Sequence, residues 1–320
     1  MGLKTRVLEI LENNRGRSIS GNSIANSLGI TRSAVWKAVV DLRREGYIID
    51  AVTNRGYCLT GESGLMNERS IQGFLTTEHL GRKLDVFKTI DSTNNFAKSL
   101  AQLGGAHGHT IIAEQQTVGR GRADKSFYSP ANQGIYMSVI VRPRIPVACS
   151  PRITACTAVA VADAIKDTAG IECGIKWVND IFVHGKKLCG ILTEAAVGVE
   201  AGELDYAVIG IGINANNAEF PDEIKDTATS LFFESRRIIN RAELTANVLN
   251  RLESRLKELE SGSFMNEYRE RSILIGKRAR ILSGDRVTEY DCTGIDDNGF
   301  LVVRDMDGNE EHLSTGTILT

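Results

Sequence analysis

The residues with chemistry to offer fall into four short stretches, and the most unusual is 118–130, VGRGRADKSFYSP. Two arginines alternate with two glycines, and an acid, a lysine and an aromatic follow. Glycine denies the segment a stable helix. Backbone N–H groups left unshielded at Gly119 and Gly121 suit an anion. In an extended segment side chains alternate with period two, so Arg120 and Arg122 are expected to point the same way and grip one anionic group. Neither G-x-x-x-x-G-K-[ST] nor G-x-G-x-x-G is present, position 124 being Asp, which argues against a P-loop ATPase or a dinucleotide enzyme. Read alone, the same residues also make an ordinary basic surface loop.

The other three stretches share one placement, the end of a strand. DSTN, 91–94, joins a strand to a helix, and Ser92 or Thr93 is equally suited to be the helix N-cap. KWVNDIFVHGKKLCGILTE, 176–194, carries Lys176 at the end of one strand and Lys187 at the start of another. The Asn179-Asp180 corner can bring both lysines inward; alternatively Lys186 and Lys187 are a solvated hairpin pair. VIGIGINAN, 208–216, is a buried strand ending in Asn214, where Gly210 and Gly212 admit a ligand or a second backbone.

The elements that must position these stretches follow from periodicity and turn residues. Strands are expected at 85–90, 110–115, 135–141, 174–177, 181–184, 187–195 and 206–213, with helices at 94–103, 153–168 and 241–259. Adjacent strands joined by short turns point to a mixed sheet with helices packed on it, not a doubly wound sheet. From Leu274 onward short strands return, with turns at 283–285, 297–299 and 307–309, the pattern of a small β-barrel.

Ahead of this body lies a basic head. Residues 1–60 carry nine Lys/Arg and five Asp/Glu, a net charge of +4, whereas the remaining 260 residues carry 29 bases and 35 acids, a net −6. Such an asymmetry suits a head that meets something anionic. Ile24 and Leu28 mark a short helix that Gly29 stops. Thr31 can cap the next helix, whose buried stripe is Val35, Ala38, Val39 and Leu42. Helix, glycine-centred turn, helix is the helix-turn-helix pattern, and 47–60 reads as a hairpin turning at Asn54-Arg55-Gly56. Arg32, Ser33, Trp36 and Lys37 fall off the buried stripe, free to enter a DNA major groove, and Arg55 at the hairpin tip can meet phosphate. Trp36 has a second reading as a partly buried structural residue, and the head a second reading as a helical protein-contact module. The segment 60–70 reads as a linker.

Six cysteines form no C-x-x-C pair, which supports neither a zinc ribbon nor a redox motif, and they read as packed thiols. No apolar run reaches the ~18 residues of a membrane span, and no N-terminal apolar region suggests a signal peptide. A reducing cytoplasm is the expected setting.

Taken together and in order, DSTN, GRGR, KWxND, KKLCGIL with an acid after it, and GIGIN resemble the biotin protein ligases over nearly the whole chain. The helix-turn-helix resembles their bifunctional subgroup, which is both ligase and biotin-operon repressor. The resemblance implies an α+β multidomain protein with a winged helix-turn-helix at 1–62, a ligase domain at 66–272 with a central mixed sheet like that of class II aminoacyl-tRNA synthetases, and an SH3-like barrel at 273–320. It implies that biotin and MgATP give biotinyl-5′-AMP, from which a lysine of a biotin carboxyl carrier domain takes the biotinyl group. Lys187 is then the main catalytic lysine, aided by Arg120 and Arg122. Ser92, Thr93, Asn94, Gln116, Gly119, Arg120, Gly121, Arg122, Lys187, Gly190 and Ile191 belong to the biotin pocket. Arg122, Phe127, Lys176, Asn179, Asp180 and Asn214 lie on the nucleotide side, Asp180 as a positioning group and Phe127 over the adenine. The metal ligands are not identified by the resemblance. It also implies operator DNA and a ligand-linked homodimer as partners.

The chain departs from the family pattern in the second half of its loop. A glycine is replaced by Asp124 and an arginine by Lys125, which keeps charge but loses a bidentate grip on phosphate. Val178 stands where proline is common, and the tail LSTGTILT lacks an arginine common in relatives. Retained ligase activity with a looser hold on the adenylate is the expectation. The other readings are a DNA-binding regulator that holds biotin without catalysis, and a lipoate or other acyl ligase on the same fold.

Overall fold

The computed structural model describes residues 2–44, 47–52, 55–59, 66–122, 125–198, 202–284 and 286–319. Asn54, the linker 60–65, Ala123, Asp124 and Asp285 lie outside the described residues.

The head is built from α1 (Leu3–Asn13), α2 (Gly21–Leu28), α3 (Arg32–Arg44), β1 (Ile49–Val52) and β2 (Gly56–Leu59). Ser20 caps α2 by accepting from Ser23 N–H, and Gly29 ends it at φ 65°, the left-handed conformation only glycine adopts freely. Thr31 Oγ1 accepts from Ala34 N–H at 3.2 Å and starts α3. The expected stripe Val35, Ala38, Val39 and Leu42 is buried against Val7, Leu11 and Ile24. β1 and β2 pair antiparallel, and a bridge between Ile19 and Tyr57 ties the hairpin to the segment before α2. Gly56 sits at that crossing, where a Cβ would lie 2.1 Å from Ile19 O.

The body runs α4 (Glu68–Gln72), β3 (Leu84–Phe87), α5 (Thr93–Gln102), β4 (Thr110–Ala113), β5 (Ile135–Val141), α6 (Pro151–Ala169), β6 (Gly174–Lys176), β7 (Asp180–Val183), β8 (Lys186–Val197), β9 (Leu204–Ile213), α7 (Leu231–Ser235), α8 (Arg241–Leu256) and α9 (Met265–Glu270). Its strands form one sheet in the order β3-β4-β5-β9-β8-β7-β6. The β3–β4 pair is parallel and every other pair antiparallel, the mixed sheet expected. Alternation along β5 divides its side chains. Met137, Val139 and Val141 join the large core under α6 and α8, while Ile140 joins Ala97 and Ala101 of α5 on the opposite face. The alanines of α6 (Ala155, Ala158, Ala162) keep its buried side thin, so α8 packs close to it.

The expected strands and helices all form, with ends displaced by one to three residues. The linker reading of 60–70 does not hold for its last residues. Asn67 accepts from Ser70 N–H and caps α4, while Met66 and Ile71 are buried in the main core. Polar composition hid a segment whose few apolar side chains are enough to dock it.

After α9 come β10 (Arg278–Ser283), β11 (Arg286–Ile295), β12 (Leu301–Arg304), β13 (Glu310–Leu313) and β14 (Thr317–Leu319), a five-stranded antiparallel sheet ordered β13-β12-β11-β10-β14. Ile281, Leu301 and Val303 belong to the same continuous core as α6 and α8. Trp177 Nε1–H donates to Gly299 O at 3.0 Å across that junction. Among the described residues no helix is long and apolar enough to cross a membrane. Five of the six cysteines are buried and all are free, as packed thiols.

A charged side chain is enclosed in the body. Arg241, at the start of α8, is fully buried and pairs with Glu114 at 2.6 Å and with Gly134 O at 3.1 Å. Replacing it leaves a shielded carboxylate without its cation. Arg241→Ala is therefore expected to cost about 3–5 kcal/mol of folding stability. Chemical denaturation of the variant beside the wild type measures this, and an unchanged midpoint would show the pair to be dispensable.

Candidate functional site

On the α5 side of the sheet lies a cavity of about 800 Å³. Its floor is made of β8 and β9, where Gly190 pairs with Gly212 and Leu192 with Gly210. The glycines clear space for specific neighbours. A Cβ on Gly210 would lie 2.4 Å from Asn94 Oδ1, and one on Gly212 would lie 2.6 Å from the Phe127 ring.

One end of the cavity is neutral and polar. Ser92 caps α5, accepting from Asn95 N–H at 3.5 Å, so one of the two cap readings of DSTN holds for Ser92. The turn this makes presents Thr93 and Asn94 to the cavity. Gln116 Oε1 accepts from both Thr93 N–H (2.9 Å) and Thr93 Oγ1–H (3.1 Å), and Gln116 Nε2 donates to Ser129 Oγ at 3.0 Å. Asn94 Nδ2 donates to Glu194 Oε2 at 2.9 Å. Burial pushes the Glu194 carboxyl up, but hydrogen bonds from Asn94 and Lys98 and the charge of Arg120 outweigh it and hold the group below its ordinary value.

The other end is cationic. Lys187 reaches the cavity because of a bulge. Cys189 pairs with Ile181 and Lys187 with Phe182, leaving Leu188 as the extra residue of β8. Plain alternation would turn Lys187 to the same face as Cys189 and Ile191, into the core; the bulge re-aims it. Its Nζ lies over Gly190 and 2.7 Å from Asp180 Oδ1, a shielded oxygen that receives no well-aligned hydrogen bond. Lys176 also lines the cavity, its ammonium 5.4 Å from the centre of the Phe182 ring. Burial pushes the Lys176 ammonium down, Asp180 opposes, and Lys187 and Lys125 add to the push. An entering anion would relieve that crowding of cations.

Arg120 and Arg122 do not point the same way. Gly121 N–H donates to Lys125 O at 2.7 Å, so the backbone folds back on itself and the period-two expectation for an extended segment fails. Arg120 turns to Asn95 Oδ1 (3.0 Å) and Glu194 (3.4 Å) at the neutral end. Arg122 turns to Asn179 Oδ1 (3.2 Å) and to Thr315 Oγ1 (3.0 Å) in the turn between the last two strands, Glu310–Leu313 and Thr317–Leu319. Burial pushes the Arg122 guanidinium down and Asp180 and Tyr268 oppose it. Arginine starts so high that it stays a cation at neutral pH.

Of the residues singled out in the sequence, Ser92, Thr93, Asn94, Gln116, Arg120, Gly121, Arg122, Phe127, Lys176, Asn179, Asp180, Lys187, Gly190 and Ile191 line this one cavity. Two do not. Gly119 closes the loop, accepting from Phe127 N–H at 2.9 Å, and a Cβ there would strike Phe127 O at 2.4 Å. Asn214 is buried behind the floor, its amide donating to Thr229 O at 3.0 Å, which leaves it as a brace between β9 and the segment that follows. The Phe127 ring lies against Gly190 and Gly212, with Tyr136 at 6.3 Å, so the aromatic sits in the sheet's glycine notch. Sequence reasoning assigned no role to Ser138, Glu194, or the C-terminal residues Ser283, Gly284 and Thr315–Thr317. A serine inside the otherwise apolar run IYMSVIV was a signal for Ser138; nothing local marks the C-terminal residues.

On the head, Arg32, Ser33, Trp36 and Lys37 form an exposed row on α3, and Arg55 is exposed at the hairpin. Trp36 is 60 % exposed, which removes its reading as a partly buried structural residue.

These features define a class: a multidomain α+β protein with a helix-turn-helix head and a body whose cavity, neutral and polar at one end and cationic at the other, lies across a mixed sheet. The chain belongs to the biotin/lipoate A/B protein ligase family, whose model matches residues 86–214, while a helix-turn-helix domain model matches residues 4–58. It is similar to the bifunctional ligase/repressor BirA of Bacillus subtilis, 38% identical over 96% of this chain and 95% of that one. It is also similar to the BirA of Escherichia coli, 26% identical over 95% of this chain and 92% of that one. Among solved structures, the biotin protein ligase of Aquifex aeolicus in complex with biotin and ATP superposes with a TM-score of 0.63 at 25% identity, covering 74% of this chain and 98% of that one.

Proposed function

We propose that the chain is a biotin protein ligase that also represses transcription. It activates biotin with ATP to biotinyl-5′-AMP and transfers the biotinyl group to a lysine of a biotin carboxyl carrier domain. The observation that carries the reading is the two-ended cavity on a chain similar to a bifunctional ligase/repressor from end to end.

The neutral end suits a ureido ring, whose N–H and C=O groups need acceptors and donors, which Thr93, Asn94 and Gln116 supply. The glycine floor and Leu192 suit the tetrahydrothiophene ring and the aliphatic chain. The cationic end suits the reacting groups. A carboxylate attacking an α-phosphate brings two anions together, and Lys187, Lys176 and Arg122 offset that repulsion and the charge of the transition state. Lys187 stands between the two ends, over Gly190, where carboxylate and α-phosphate must meet. Arg120, Gly119, Gly121 and Phe127 belong to the loop that covers the adenylate and keeps water from the anhydride. Asp180 orients Lys187.

Mg²⁺ fits this donor set. Among the described residues no cluster of three His, Cys, Asp or Glu stands ready to hold a metal. Asp180 and Asn179 offer hard oxygen atoms, and an ion that keeps waters and takes phosphate oxygens needs few more from the protein. Bound there, Mg²⁺ would neutralise phosphate charge.

The proposal extends to the architecture. The chain divides as 1–62, 66–272 and 273–320, with a winged head for operator DNA and a C-terminal SH3-like barrel whose Thr315 supports Arg122. We place the protein in the cytoplasm and read the adenylate as favouring a homodimer, whose paired heads fit a two-fold operator. Asp124 weakens retention of the adenylate through its negative charge, and Asp124→Gly is the matching variant.

Incubation of the purified chain with biotin, ATP, Mg²⁺ and a carrier domain, followed by mass spectrometry, tests the activity. One biotinyl group on one lysine, undiminished by excess free lipoate, is the expected result. No mass gain with tight biotin binding would favour a biotin-binding regulator without catalysis. Gly210→Ala probes the pocket itself. The added Cβ, 2.4 Å from Asn94 Oδ1, displaces Asn94, and biotin affinity measured by calorimetry is expected to fall about tenfold or more.

A further inference from the structure

Glu194 and Ser138 lie behind Asn94 and line no part of the cavity, yet they fix what Asn94 can do. An ionised carboxylate only accepts hydrogen bonds. Glu194 Oε2, 2.9 Å from Asn94 Nδ2, therefore sets which way the Asn94 amide faces. The amide oxygen is then turned to Ser138 Oγ at 2.8 Å. Ser138 Oγ is also 2.8 Å from Thr93 Oγ1, its single proton serving either that oxygen or Asn94 Oδ1, and Thr93 Oγ1 lies 3.1 Å from Gln116 Oε1. Asn94, Ser138, Thr93 and Gln116 thus form one chain of neutral groups, and Glu194 is the charged group at its end.

The carboxylate is itself held in place. Lys98 Nζ lies 3.2 Å from Glu194 Oε1, and Arg120 of the loop 3.4 Å from both oxygens. It sits on β8 in the same alternation as Gly190 and Leu192, so the strand that supplies the floor also supplies the support beneath Asn94. Asn94 is 3% exposed, and a reversed amide there would put its oxygen against the half-buried carboxylate, an unfavourable contact between two acceptors.

We infer that Glu194 is a positioning residue: it locks the Asn94 amide, through Ser138 opposite, with its oxygen free to accept an N–H of the ligand's ureido ring, and it ties Arg120 to the same anchor. The inference rests on the reading of this cavity as a biotin site. Glu194 touches no substrate and acts on recognition, so its removal raises KM for biotin far more than it lowers kcat.

The test uses the full-length chain, with biotin binding followed by calorimetry and adenylate formation by pyrophosphate release. Glu194→Gln keeps the shape but can face Asn94 with either end of its amide. A rise of about tenfold or more in Kd and KM for biotin is expected, the scale of one charge-assisted hydrogen bond. Asn94→Asp alone sets two carboxylates face to face and is expected to lose more. Adding Glu194→Gln to Asn94→Asp restores a donor opposite an acceptor-only group, so the double variant is expected to bind better than Asn94→Asp alone. Loss of packing would not be rescued by this exchange. Biotin affinity unchanged in Glu194→Gln, or a double variant no better than Asn94→Asp, would overturn the inference while the wild type still binds biotin. A wild type that binds no biotin would overturn the biotin-site reading and the inference with it.

Discussion

Replacing Lys187 with alanine is expected to slow biotinyl-5′-AMP formation by about 10²–10³-fold, the loss seen when one preorganised donor is taken from a transition state that gathers negative charge. The bulge at Leu188 holds the lysine over Gly190 at the boundary between the neutral and cationic ends. The proposed biotin-recognition groups lie at the neutral end, so calorimetry should show a smaller change in biotin affinity than stopped-flow shows in the rate. Lys187→Arg is not a rescue. A planar guanidinium cannot take the place of a compact ammonium packed against Gly190, where Lys187 Cε and Nζ stand 3.3 Å from the site of a Cβ. Lys186, one residue away, is the control for charge alone. If Lys187→Ala forms adenylate at the wild-type rate, the assignment of the reacting end is wrong.

The second large effect belongs to the head. Arg32 and Lys37 are exposed on α3 beside Trp36. The double variant Arg32→Ala/Lys37→Ala is expected to lower operator affinity by about 10²-fold or more, each base-edge contact being worth roughly 1–3 kcal/mol. Arg55→Ala at the hairpin should act differently. It is expected to weaken binding evenly across DNA sequences and to reduce the slope of log K against log salt by about one, as loss of one phosphate contact does. Both measurements use gel-shift or anisotropy titrations at several salt concentrations. Ligase activity should be unchanged in all of these variants, because the head has its own core of Val7, Leu11, Ile24, Val35 and Leu42. Operator binding that survives the double variant would move the DNA contact off α3.

Much of this site was legible in the chain because its recognition groups lie in short contiguous stretches at strand ends. DSTN needs only a strand-to-helix turn to present Thr93 and Asn94, and KWVND needs only a hairpin corner to bring Lys176 near Asp180. Local rules of capping, turns and alternation reach that far. They failed where a residue's direction depended on something distant. Arg120 and Arg122 diverge because each finds its partner far along the chain, Glu194 in one case and Asn179 and Thr315 in the other. Asn214 reads as a ligand group from its place after GIGI, yet its amide is taken by Thr229 O.

By itself the sequence determined the head, the order of strands and helices, the family, and most of the polar residues that line the cavity. Periodicity, glycine and cap residues act within a few positions, and such effects can be read along a chain. Only the tertiary structure decided which way those residues face. A single-residue bulge turned Lys187 from the core into the cavity, the pairing of β8 with β9 set glycines opposite Asn94 and Phe127, and the C-terminal sheet closed one wall with Thr315. The physical reason is that side-chain direction in a sheet reverses with each residue, so one unit of register, set by partners distant in sequence, decides between core and site.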